Sequence, residues 1–259
     1  MIGTLRNWFK PKDALSQLRR RTWAARPVSV ASATSSSPPR CTSSGCWRVT
    51  DGSTALPYPL LMAIQRGTMA THYRGIEKYK NPFDLALYTK LLGELRPRTV
   101  IEIGAHRGGS ALWFADQLTT LGVNAHIHSL DVISVDGVND PRITFHVGSA
   151  LELGATFSDA MLAALPRPWL VIEDADHRCA TTHAVMRFFD PWLETGDWMV
   201  VEDGILTAMR VADDYGGGPH AALTRFVGEQ PDRYRIRRDY CDFYGHNVTW
   251  NVDGWIERL

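Results

Sequence analysis

Two short segments, VIEDADH (171–177) and MVVEDG (199–204), each start as an apolar β-type run and end in carboxylates. If both are strands of one parallel sheet, Asp174, Asp176, Glu202 and Asp203 emerge together at its carboxyl edge, where open α/β sheets bind ligands. Carboxylates gathered in this way repel one another unless a cation neutralises them. An oxygen-only ligand set favours Mg²⁺, Ca²⁺ or Mn²⁺ over zinc. The alternative is that some of these acids cap helices or pair with Arg178 or Arg210. His177 follows Asp174 by three residues, at the turn leaving the strand, where an imidazole can accept a proton from a substrate hydroxyl near neutral pH. His183, His220 and His246 are secondary candidates, His220 because it ends the glycine-rich stretch ADDYGGGPH.

A second constellation lies upstream. VIEIGAHRGGS (100–110) passes from a strand through Glu102, Gly104 and Ala105 into a helix start at Gly108, Gly109 and Ser110, and the glycines let backbone approach a ligand closely. A dinucleotide fingerprint would need a glycine at position 106, where His106 stands. An acid two residues before the first glycine suits a cationic or ammonium-bearing ligand better than a pyrophosphate. Asp131, ending IHSLDV one crossover unit later, has the position of a ribose-binding acid, although an Asp at a strand end also serves as a cap. Ser149 and Ala150, after the next strand, are placed either to wall an adenine ring or simply to cap.

The elements that must hold these residues read as strands over 99–103, 126–131, 143–147, 169–174 and 198–203. Helices over about 83–95, 110–121, 151–165, 179–193 and 220–229 alternate with them, and 234–241 with 248–258 form a closing antiparallel pair around Gly245, His246 and Asn247. Strands alternating with helices across short connections predict an α/β domain with a parallel sheet and crossover helices on both faces. Asn81-Pro82 opens the first helix and Pro97 closes it.

The chain has 259 residues and no net charge, but residues 1–50 hold nine basic residues and one acid, leaving 19 basic against 27 acidic in the remainder. Residues 1–55 are Arg- and Ser/Thr-rich and lack hydrophobic periodicity, so they read as a disordered basic leader ahead of a domain over 56–259. The leader's first part can form a short basic helix suited to a membrane surface or a partner. Its composition also matches a transit peptide or a start assigned too far upstream, with Met62 and Met69 as later starts. No apolar run approaches the ~20 residues needed to span a bilayer. Cys41, Cys46, Cys179 and Cys241 form no CxxC pair, which argues against a disulfide framework or a cysteine-zinc site and fits a reducing cytoplasm.

With these residues in place, the chain from about Tyr73 onward resembles the class I S-adenosylmethionine-dependent methyltransferases, and within them the cephalosporin hydroxylase-like family, whose relatives include macrolide sugar and rhamnosyl O-methyltransferases. The likeness is carried by KNPFDLALYTKLLGELRPRTVIEIGAHRGGSALWFA, by VIEDADH with MVVEDG, and by YGHNVTWNVDGWIER. The resemblance implies a Rossmann-like, seven-stranded, mostly parallel sheet in the order 3-2-1-4-5-7-6. It implies that Glu102, Gly104, Ala105, Gly108, Gly109 and Ser110 hold the methionine part of the donor, Asp131 its ribose, and Ser149 and Ala150 its adenine. Asp174, beside the donor, would bind Mg²⁺ with Glu202 and Asp203, and His177 would be the base. Tyr73, Arg74, Tyr215 and His220 border the expected acceptor face. The function so implied is Mg²⁺-dependent O-methylation of a sugar or glycosylated natural product, as in antibiotic biosynthesis, by a homo-oligomer that binds a small-molecule acceptor and no nucleic acid. The alternative is a donor-binding subunit of a hydroxylase or methoxylation system needing a partner protein. The basic leader is too poor in apolar residues to be the additional N-terminal domain of the macrolide sugar enzymes.

Overall fold

The computed structural model describes residues 49–259; most of the basic leader, with Cys41 and Cys46, lies outside them. In chain order come α1 (Tyr58–Thr68), a hairpin of β1 (His72–Tyr73) and β2 (Ile76–Glu77), α2 (Pro82–Leu95), β3 (Thr99–Ile103) and α3 (Gly109–Thr120). Next are β4 (His126–Asp131), β5 (Ile143–Val147), α4 (Leu153–Thr156), α5 (Asp159–Ala164), β6 (Trp169–Glu173), α6 (Cys179–Phe189) and β7 (Trp198–Val201). The chain closes with α7 (Gly218–Glu229), β8 (Tyr234–Ile236), α8 (Arg238–Cys241) and β9 (Trp255–Arg258).

The main sheet has seven strands in the order β5-β4-β3-β6-β7-β9-β8, with β9 antiparallel to both its neighbours. This is the expected 3-2-1-4-5-7-6 arrangement. The central strands β3, β6 and β7 are buried along their whole length, as strands covered by helices on both faces must be. Their register pairs Ile103 with Glu173 and Glu173 with Val201, so the residues just beyond, Gly104, Asp174 and Glu202, share one edge. Because α2 leads into β3 through a short connection, its start lies at that same edge. The Asn81 side chain caps this helix by accepting from Phe83 N at 3.0 Å and Asp84 N at 3.1 Å, with Pro82 in the first turn.

Three expectations need correction. The helix expected over 151–165 is two short ones, because Phe157 leaves helical geometry to bury itself completely and Ser158 then caps a new start, accepting from Met161 N. In the closing pair, only Tyr234–Ile236 and Trp255–Arg258 are strand. Residues 248–254 are irregular: Thr249, Asn251 and Asp253 are as buried as their apolar neighbours, and Asp84 accepts from Trp250 N at 3.0 Å and from the Thr249 hydroxyl.

Finally, residues 50–55 belong to the fold rather than to the leader. Asp253 accepts from both Thr50 N and Thr50 Oγ1 at 2.7 Å, Thr54 Oγ1 donates to the Asn247 carbonyl at 2.7 Å, and Ala55 N donates to the His246 carbonyl at 2.8 Å. Among the described residues no helix is long and apolar enough to cross a membrane, and Cys179 and Cys241 are free.

Candidate active site

The loop after β3 is built by close approach of two strand ends. Gly104 has φ +112°, and a Cβ there would stand 1.9 Å from the Asp174 carbonyl oxygen, so this crossing of β3 and β6 admits only glycine. Gly108, at φ +80°, turns the chain into α3. Glu102 is fully buried beneath the loop; its Oε2 accepts from Ser129 Oγ at 2.5 Å, while Oε1 is buried without a hydrogen-bond partner. Burial pushes its pKa up, opposed by the nearby charge of Lys80. An orphaned carboxylate oxygen beneath a glycine turn fits a donor carrying an ammonium group. Asp131 Oδ2 accepts from His106 N at 2.7 Å and Oδ1 from Ile133 N at 3.2 Å, so this acid laces the loop after β3 to the end of β4. Ser149 Oγ accepts from Leu151 N at 3.2 Å in a local turn, and Ala150 packs partly buried against the core.

At the ends of β6 and β7 the acids and the histidine converge. His177 and Asp203 are both left-handed, at φ 62° and 57°, which turns their side chains back over the strand ends. His177 Nδ1 lies 3.2 Å from Asp203 Oδ2 and 3.9 Å from Asp174 Oδ1. Asp174, His177 and Asp203 each offer one ligand atom, all within 4.8 Å of one another. The two hard carboxylate oxygens fit a divalent cation, with the imidazole beside them. Burial pulls the His177 pKa down, but the carboxylates of Asp203, Asp174 and Glu173 outweigh it and hold the imidazole above its ordinary value. Burial raises the Asp203 pKa against the opposing charge of His177.

Glu202 sits one layer deeper. Its Oε1 accepts from Lys80 Nζ at 2.6 Å and from the Tyr88 hydroxyl at 2.6 Å, so both bonds fall on one oxygen, and Lys80 also reaches Asp174 Oδ2 at 2.5 Å. Neither Lys80 nor Tyr88 was singled out by sequence reasoning. The signal available was the charge balance: four acids at two strand ends need a buried cation, and the start of α2 is the nearby segment carrying lysines.

The substrate candidates divide. Tyr215 stands beside the base, its ring centroid 6.1 Å from that of His177 in an edge-on arrangement. Tyr73 and Arg74 are tied instead to Asp116 on α3, at 2.9 and 3.2 Å. The imidazole of His220 is held by Asp253 at 3.1 Å, within the network that fastens Thr50. Each of these three already has a carboxylate partner away from His177. The secondary histidines are likewise engaged elsewhere: His183 with Glu229 at 2.9 Å, and His246 with Asp242 at 3.5 Å.

The family model for rhamnosyl O-methyltransferase/CmcI matches residues 65–259. The chain belongs to this family. Among relatives in the rhamnosyl O-methyltransferase/CmcI family, the rhamnosyl O-methyltransferase of Mycobacterium leprae (strain TN) is 32% identical over 192 residues, 73% of this chain and 83% of that protein. The rhamnosyl O-methyltransferase of Mycobacterium tuberculosis (strain ATCC 25618 / H37Rv) is 29% identical over 170 residues, 64% of this chain and 69% of its own length. Among solved structures, an apo form of CmcI-N160 superposes with a TM-score of 0.60 at 25% identity, covering 82% of this chain and 88% of that one. CmcI-D160 with Mg and SAM gives 0.58 at 25% identity, covering 83% and 89%. The chain is accordingly an S-adenosylmethionine-dependent O-methyltransferase of class I fold, from a family whose cofactors are S-adenosylmethionine and Mg²⁺.

Proposed function

We propose that this enzyme methylates a hydroxyl of a sugar or glycosylated natural product in a Mg²⁺-dependent reaction, with His177 as the proton acceptor. The observation that carries the reading is the convergence of His177 with Asp174 and Asp203 at the carboxyl ends of β6 and β7, next to the glycine turn that ends β3. The sugar acceptor is supported by the rhamnosyl O-methyltransferases to which the chain is similar.

In this reading Glu102 receives the ammonium of the donor on its orphaned oxygen, the backbone from Gly104 to Gly109 lies along the donor, and Asp131 accepts from ribose hydroxyls. Asp174 and Asp203, with the second oxygen of Glu202, hold the cation. When bound, the donor supplies an electrophilic methyl group and Mg²⁺ supplies Lewis acidity toward the acceptor hydroxyl. His177 Nδ1 and Asp203 Oδ2, 3.2 Å apart, form an ion pair once the imidazole has taken the proton, and the carboxylate stabilises the imidazolium that results. Tyr215 screens the imidazole from solvent on one side. Orientation of the hydroxyl against the methyl group supplies the rest of the acceleration, since methyl transfer needs in-line placement.

The acceptor class is tested by supplying the purified enzyme with donor, Mg²⁺ and two panels, glycosides and simple catechols, and following S-adenosylhomocysteine release with mass analysis of the acceptor. A gain of one methyl group on glycosides is expected. Turnover confined to catechols would replace the sugar reading with a phenolic one.

A further inference from the structure

The acids at the ends of β6 and β7 do not face each other bare. Lys80, in the segment entering α2, is inserted between them with its side chain 3% exposed. Its Nζ lies 2.5 Å from Asp174 Oδ2 and 2.6 Å from Glu202 Oε1, so one ammonium joins residues 94 and 122 positions further along the chain. Tyr88, two turns into α2, donates to the same Glu202 oxygen at 2.6 Å. The start of α2 therefore supplies both contacts to Glu202, and its Asn81 cap fixes where that start lies.

This contact also sorts the carboxylate oxygens. Asp174 Oδ2 is taken by Lys80, while Oδ1 is on the side of His177, 3.9 Å from Nδ1, where Asp203 Oδ2 also lies. On Glu202 both donors use Oε1. Lys78, two residues earlier, makes no ion pair among the described residues and lies over the Trp113 ring at 5.9 Å, so the pairing belongs to position 80 and not to the basic segment as a whole.

We propose that Lys80 is a positioning residue, the internal counter-ion that ties the end of β6 to the end of β7, fixes which oxygen of Asp174 faces His177 and occupies one oxygen of Glu202, independently of any divalent cation. What those oxygens serve rests on the Mg²⁺ reading above; the tie itself does not.

The test is thermal melting of the full chain in EDTA for the wild type, Lys80→Met, Glu202→Gln and the double variant K80M/E202Q. Methionine keeps the volume and removes the charge, so a role in packing alone predicts no loss. Breaking a buried pair on one side leaves an uncompensated carboxylate, and K80M is expected to melt about 6–12 °C below wild type. Adding E202Q removes part of that excess charge and is expected to recover at least half of the loss. Should K80M not fold, a folded double variant still shows the compensation. K80M melting with the wild type, or a double variant no more stable than K80M, would overturn the proposal. A Mg²⁺ titration of wild-type melting reads the cation separately: no rise with added Mg²⁺, alongside recovery in K80M/E202Q, removes the divalent-cation reading and leaves Lys80 as counter-ion.

Discussion

His177 Nδ1 lies 3.2 Å from Asp203 Oδ2, a contact that joins the turn after β6 to the turn after β7. The imidazole is thereby oriented by a carboxylate whose backbone is itself locked in a left-handed conformation. With His177 as the proposed proton acceptor, replacing it with Ala removes that group and leaves the loop after β3, the proposed donor site, untouched. Turnover is expected to fall by about 10²–10⁴-fold with donor affinity unchanged, measured by S-adenosylhomocysteine release and by calorimetry. Equal losses in both would place His177 in donor binding instead.

Asp174 and Asp203 supply the oxygens nearest His177. Asn at either position keeps the shape and removes the charge. Outer partners of metal ligands typically cost 10- to 100-fold in affinity, and direct ligands cost no less, so the Mg²⁺ concentration for half-maximal turnover should rise about tenfold or more. An unchanged Mg²⁺ requirement in both variants would take these acids out of the cation site.

Glu173, the last residue of β6, is 1% exposed, and burial raises its pKa to about 7 from an ordinary 4.5. Between those values the folded protein keeps a proton that the unfolded chain has lost, so this group's contribution to stability falls as pH rises from about 4.5 to 7. The full span corresponds to about 3 kcal/mol. Glu173→Gln is expected to flatten the melting temperature across that window and to exceed wild type above it. Parallel pH profiles for the two proteins would show that Glu173 is ionised throughout.

Much of this architecture was legible in the sequence because it depends on local pattern. Fully apolar runs ending in acids identify the buried parallel strands and the edge at which Asp174 and Asp203 appear. The spacing from Asp174 to His177 puts an imidazole at the same turn. Lys80 was not legible, since its partners lie 94 and 122 residues away and nothing in the periodicity of α2 marks a lysine just before its cap as buried. The partner of His220 was hidden for a related reason: the carboxylate that holds its ring, Asp253, lies 33 residues later. Residues 248–254 alternate like a strand, yet Thr249, Asn251 and Asp253 are as buried as their apolar neighbours, Thr249 and Trp250 N bond to the side chain of Asp84, and Asp253 bonds to Thr50.

The contacts of Asp253 and Asn247 tie residues 50–54 to the fold. Thr50, Ser53 and Thr54 bond to Asp253 and Asn247, so a variant starting at Val49 should melt higher than one starting at Leu56, by about 3–6 °C for a few lost hydrogen bonds. Coincident melting of the two would return residues 50–55 to the leader.

The central claim is that the carboxylates gathered around His177 hold a divalent cation on which methyl transfer to a sugar hydroxyl depends. Turnover of a glycoside acceptor, followed by S-adenosylhomocysteine release after EDTA treatment and then across a Mg²⁺ titration, tests it most directly. Near-complete loss in EDTA and saturable recovery with Mg²⁺ in the wild type, with recovery shifted to higher Mg²⁺ in Asp203→Asn, is the predicted result. Turnover in EDTA equal to that in Mg²⁺ would contradict it.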